Sequence, residues 1–105
     1  MTWYGGSGPV TNPAAGTVLT RSKSFVSAGT RSVSLYAWTD EITDDAILTL
    51  DYMHRELLTL SQTFPLRSYL YVSVSVPTEA GDWFRLTLPN AVVGNVSASL
   101  FVDDL

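Results

Sequence analysis

The segment Tyr69-Leu70-Tyr71-Val72-Ser73-Val74-Ser75-Val76 constrains the chain more than any other, because it keeps a strict two-residue rhythm. A helix would scatter these side chains around its circumference. A strand sends Leu70, Val72, Val74 and Val76 to one face and Tyr69, Tyr71, Ser73 and Ser75 to the other. Pro77 follows and has no amide proton for a ladder, so the strand is expected to stop there. Thr78-Glu79-Ala80-Gly81-Asp82 then reads as a turn.

The same rhythm recurs. From Arg31 onward, Val33, Leu35 and Ala37 alternate with Ser32, Ser34, Tyr36 and Trp38. Ala46, Leu48, Leu50 and Tyr52 share one face of a segment running to His54, with Ile47, Thr49, Asp51 and Met53 on the other. Phe84, Leu86 and Leu88 alternate with Trp83, Arg85 and Thr87, and Val96, Ala98, Leu100 and Val102 alternate with Ser97, Ser99 and Phe101. Val18 to Val26 reads as a first strand. The competing reading is a helix within Asp44 to Leu60, which holds several good helix formers; Thr49 and Asp51 between large apolar residues favour a strand. Glu56 to Leu60 reads as a further short strand, and Ser61 to Ser68, with Pro65, as a loop or strand entry. Residues 1–17 are rich in Gly and Pro and read as an irregular lead-in. The expectation is an all-β fold, an antiparallel β-sandwich of jelly-roll type with six to eight strands, built from residues 18–105 behind that lead-in.

A chain of 105 residues is long enough to bury a core without metals or disulfides, and it contains no Cys. Only 15% of the residues are charged, so Ser, Thr and Asn must build much of the surface, as suits a protein partly covered by an assembly or simply a Ser/Thr-rich sandwich. The net charge of −4 argues against nucleic acid as a partner. Arg21, Lys23 and Arg31 form the one local basic group and read as residues blunting an exposed strand edge. No secretion signal is expected in Met1–Val10, and no apolar run is long enough for a membrane span.

No catalytic arrangement is legible. His54 is the only histidine, and a strand places Asp51 on the opposite face from it. The acid pairs Asp40/Glu41, Asp44/Asp45 and Asp103/Asp104 read as solvated loop carboxylates, with calcium as the functional alternative. Their spacing does not match an EF-hand loop, and no metal or cofactor is expected. Trp3-Tyr4-Gly5-Gly6-Ser7-Gly8 lacks the lysine of a phosphate-binding loop.

Outward aromatics are the more informative feature. Tyr36, Trp38, Tyr69, Tyr71, Trp83 and Phe101 all fall on the non-core phase of their strands, and Trp3 and Tyr4 lie in a lead-in that needs an anchor. Three uses are open: burial against another chain, stacking on sugar rings, or a place in the core where a bulge shifts the phase.

Two stretches carry a resemblance. Trp38 to Tyr52, through Asp45, Ala46, Leu48 and Tyr52, resembles a strand-loop-strand passage of tailed-phage structural proteins. Trp83 to Pro89 and Ser97 to Leu105, ending in Val102-Asp103-Asp104, are similar to the last strands of jelly-roll carbohydrate-binding modules and of phage appendage domains. The resemblance implies a non-enzymatic virion protein: a capsid decoration, head-fibre or tail-associated component. It would act by self-association or contacts with capsid or tail neighbours, through outward aromatics and unpaired strand edges, with the N-terminal segment as a clamp. The alternative it implies is a carbohydrate-binding module with a glycan as ligand.

Overall fold

In the computed structural model, which describes residues 1–5, 8–40, 46–66 and 68–103, the alternating segments become the strands of two facing antiparallel sheets. In chain order the strands are β1 (Thr2–Gly5), β2 (Val10–Thr11), β3 (Thr17–Arg21), β4 (Gly29–Thr39), β5 (Ile47–His54), β6 (Leu57–Pro65), β7 (Leu70–Thr78), β8 (Asp82–Leu88) and β9 (Asn95–Val102). One sheet has the order β1-β9-β4-β7, with β2 also pairing β9; the other has the order β3-β8-β5-β6. The fold is therefore an all-β antiparallel sandwich of jelly-roll type with nine strands among the described residues.

The inward phases meet between the sheets. Val33, Leu35, Leu48, Leu50, Phe84, Leu86, Leu88, Val96, Leu100 and Val102 are buried there almost completely. Removing a fully buried leucine from a core of this kind costs about 2–5 kcal/mol. Leu70, Val72 and Val74 of β7 face the same interior and pack on this core while remaining partly exposed.

Several local expectations change. The segment from Asp44 to Leu60 is not a helix: its described part forms β5 and the start of β6, joined by a tight turn with Arg55 at φ 55°. β6 continues through Ser61 to Pro65, so of the two readings of that segment, loop or strand entry, the structure shows strand up to Pro65. Residues 2–5 and 10–11, read as irregular, pair with β9 from the far end of the chain. The first strand ends at Arg21, and Phe25 beyond it turns into the core. Arg31 is not an edge cation. It lies on β4 between β7 and β9 and is buried, with its guanidinium 3.8 Å from the centre of the Phe25 ring. Nε donates to Thr78 Oγ1 (3.1 Å), Nη1 to the Asp103 carbonyl (2.9 Å) and Nη2 to the Ser27 carbonyl (3.0 Å). A buried cation is tolerated because three acceptors and a ring face replace its water.

Candidate functional site

The outer face of the β1-β9-β4-β7 sheet gathers six of the eight aromatic residues singled out from the sequence. The register puts Trp3 opposite Phe101, Phe101 opposite Ser34, and Ser34 opposite Ser73. The next outward row is Gly5, Ser99, Tyr36 and Tyr71, and Ser97 and Trp38 pair in the row after that, toward Tyr69. Strands in a sheet lie about 4.8 Å apart, so the four-strand face measures about 14 Å from β1 to β7. Trp3, Tyr36, Trp38, Tyr69 and Tyr71 are between 37% and 71% exposed, enough to present ring faces to a ligand.

Neighbouring rings hold one another in place. Tyr36 lies 4.7 Å from Tyr71, tilted by 44°, and 5.5 Å from Phe101, edge to face at 77°. These separations fall in the range of favourable aromatic pairs. Trp3 lies over Gly5: a Cβ added at Gly5 would overlap the indole ring. Tyr36, Ala37, Trp38, Tyr69, Ser97, Ala98 and Ser99 line a shallow depression of about 120 Å³. That is well below the several hundred Å³ typical of a pocket enclosing a small molecule, so the face is a platform, not a cavity.

Among the described residues, the rows from Trp3 and Phe101 to Ser97 and Trp38 carry hydroxyls but no charge. Ser34, Ser73, Ser97 and Ser99 stand among the rings, and Ser34 Oγ donates to Ser73 Oγ at 3.2 Å. Desolvation by its neighbours, then Tyr71 and Tyr69, hold the Tyr36 phenol above its ordinary value, so it stays protonated at neutral pH. At the margin, Asp40 accepts from the Asn95 backbone amide (2.7 Å) and from Asn95 Nδ2 (2.9 Å). Those two bonds, the backbone one first, hold its carboxyl below the usual range and tie the end of β4 to the start of β9.

Two of the eight candidates lie elsewhere. Tyr4 pairs with Leu100 and points inward, partly buried against the core. Trp83 lies on the outer face of the other sheet, opposite Met53, and is only 8% exposed. The Arg21 guanidinium covers it at 3.7 Å from the ring centre, and its Nε1–H donates to the Arg55 carbonyl. It is thus a packed residue under an arginine lid, and the expectation of an outward aromatic free to meet a ligand fails for it. The serines and Gly5 are the parts of the platform that sequence reasoning missed. Their signal was present: Ser34, Ser73, Ser97 and Ser99 share the outward phase of the rings.

The polar groups weighed for chemistry are structural. Asp51 accepts from Arg85 Nε (2.6 Å), Ser61 Oγ (2.7 Å) and Thr87 Oγ1 (2.9 Å). Burial alone would raise its pKa; the bonds from Arg85, Ser61 and Thr87, with the Arg85 charge, more than offset that and hold it low. His54 Nδ1 lies 2.6 Å from Asp82 Oδ1, while Asp82 Oδ2 accepts the Glu79 amide, so the pair braces the β7–β8 turn. Among the described residues no group of three or more His, Asp or Glu could hold a metal ion. The acid pair Asp44/Asp45, together with Glu41 and Asp104, lies outside the described residues.

A jelly-roll sandwich with an uncharged aromatic platform on one sheet is thus the class of domain the geometry defines. No protein-family profile matches the sequence, and comparison with functionally described proteins returns no match. Solved structures do match in fold. A family 35 carbohydrate-binding module from an environmental isolate superposes with a TM-score of 0.60 at 20% identity, covering 98% of this chain and 93% of that one. The module CBM6cm-2 of Cellvibrio mixtus lichenase 5A, in complex with cellotriose, gives 0.55 at 12% identity over 99% and 86% of the two chains. A CBM35 from Paenibacillus barcinonensis gives 0.53 at 12% identity, covering 98% of each. The chain therefore has the sandwich fold of these modules. This corrects the expectation of a capsid-decoration, head-fibre or tail-associated protein: the structural likeness is to carbohydrate-binding modules, and no phage-specific similarity is found. The strand motifs behind that expectation recur in any sandwich. A location in the virion falls with it.

Proposed function

We propose that the domain binds a neutral glycan chain across the outer face of the β1-β9-β4-β7 sheet. The observation that carries this reading is the convergence of Trp3, Tyr36, Trp38, Tyr69, Tyr71 and Phe101 on one uncharged face interspersed with serines. Sugar rings have apolar C–H faces and polar rims. Half-exposed aromatic rings match the former, and serine and tyrosine hydroxyls match the latter. An open platform about 14 Å wide accommodates a chain lying along the surface better than an enclosed small molecule. That a fold neighbour is seen with cellotriose agrees with this choice of ligand class. The absence of charge from the platform favours a neutral chain over a polyuronate.

Native electrophoresis through gels containing soluble polysaccharides tests the reading. Neutral β-linked glucan is expected to retard the protein, and polygalacturonate is not. Unchanged mobility in every neutral polysaccharide would overturn the proposal.

A further inference from the structure

The two strands at one side of the sandwich, β6 and β7, are both edges: among the described residues β6 pairs only β5 and β7 pairs only β4. Natural edge strands are commonly protected by lysines, inward charges or a covering loop. Here residues 57–66 and 68–78 contain no charged side chain, in a protein of net charge −4; Arg67 between them lies outside the described residues. Leu57, Leu58 and Leu60 are 70%, 54% and 58% exposed. The sandwich is also open along this side. Leu60 and Phe64 pair with the core-facing Tyr52 and Leu48, yet Leu60 remains mostly in water, and Val72 and Val74 of β7 stay partly exposed.

We propose that this side is a two-fold interface between copies of the chain, with β6 pairing antiparallel to β6 of the second copy. A second copy fits because β6 itself, Leu57–Pro65, carries no charged residue, so two molecules of net charge −4 meet along strands that do not repel each other. An isologous pairing also uses each contact twice and closes, leaving β6 no free edge. The footprint is sufficient. A nine-residue strand is about 30 Å long, and the molecule's smallest extent is 22 Å. A face of that size buries about 1,300 Å² in total, within the range of specific interfaces. Antiparallel pairing places the two-fold axis normal to the sheet, so both aromatic platforms point the same way. That last consequence rests on the glycan reading; the interface does not.

Sedimentation equilibrium tests the interface. At about 100 µM the chain is expected at twice its 11.5 kDa mass. Leu60→Lys and Thr63→Lys, both at exposed positions, should be monomers whose thermal unfolding matches the wild type only at concentrations low enough to dissociate it. Amide exchange along β6 should be slower in the wild type than in either variant. A wild-type monomer at that concentration, or a dimer that neither substitution disturbs, would overturn the proposal. The monomeric variants should still bind a short neutral oligosaccharide as the wild type does. Absence of that binding in wild type and variants alike, with the dimer confirmed, would count against the glycan reading alone.

Discussion

Replacing Arg31 with alanine is expected to lower the free energy of unfolding by about 3 kcal/mol. Arg31 is 2% exposed, and its guanidinium joins four places in the chain: Ser27 before β4, the Phe25 ring, Thr78 at the end of β7, and Asp103 after β9. Each hydrogen bond from a charged group contributes about 1.5–3 kcal/mol, and a desolvated cation–ring contact about 2 kcal/mol. The cost of burying the cation offsets part of that sum, which sets the net figure. Alanine leaves the carbonyls of Ser27 and Asp103 without this donor and opens a void beside Phe25. For a domain of this size the loss corresponds to roughly 10–20 °C in melting temperature. Arg31→Lys keeps the charge but not the planar fork, and should recover about half. Urea unfolding of the three proteins checks this; a loss under about 1 kcal/mol for alanine would show that the bonds carry no net stability.

The second large effect concerns binding. Trp38→Ala is expected to weaken binding of a neutral oligosaccharide about 30-fold, equivalent to ~2 kcal/mol, the size of a central aromatic contact. Trp38 stands beside Tyr36 and Tyr69 in the depression, so a sugar ring bound there would meet several ring faces at once. Because Trp38 is more than a third exposed, truncation should leave the unfolding midpoint nearly unchanged. Trp83→Ala should behave in the opposite way, losing stability through the vacated site under Arg21 while retaining affinity. Isothermal titration paired with thermal unfolding separates the two. Equal affinity loss in both variants would mean that Trp38 is not a ligand contact.

The contrast between Trp38 and Trp83 shows how far sequence reading reached. Alternation sorted the faces of β4, β7 and β9 correctly, because each runs eight residues or more with a regular core phase. It also assigned Trp83 correctly to the outer face of its strand. What it lacked was the neighbour: Arg21 comes from another strand, and Arg55 reaches the indole through a left-handed turn. Both are set by tertiary register, not by local pattern. β1 was illegible for a similar reason. Four residues can alternate in either phase, and only pairing with β9 turns Trp3 outward and Tyr4 inward. Along β6 nearly every position is exposed, and the register shifts between Tyr52 and Met53, so no periodic signal survives there. Arg31 was misplaced because a cation in an alternating segment reads as surface until its three acceptors and Phe25 are brought together.

The platform is most directly tested by following the three indole N–H resonances during titration with a neutral β-linked oligosaccharide. The signals of Trp3 and Trp38 should shift and saturate together, while that of Trp83, held on the Arg55 carbonyl on the far sheet, stays fixed. Movement of the Trp83 signal alone, or none at any sugar concentration, would contradict a ligand face on the outer side of β4 and β9.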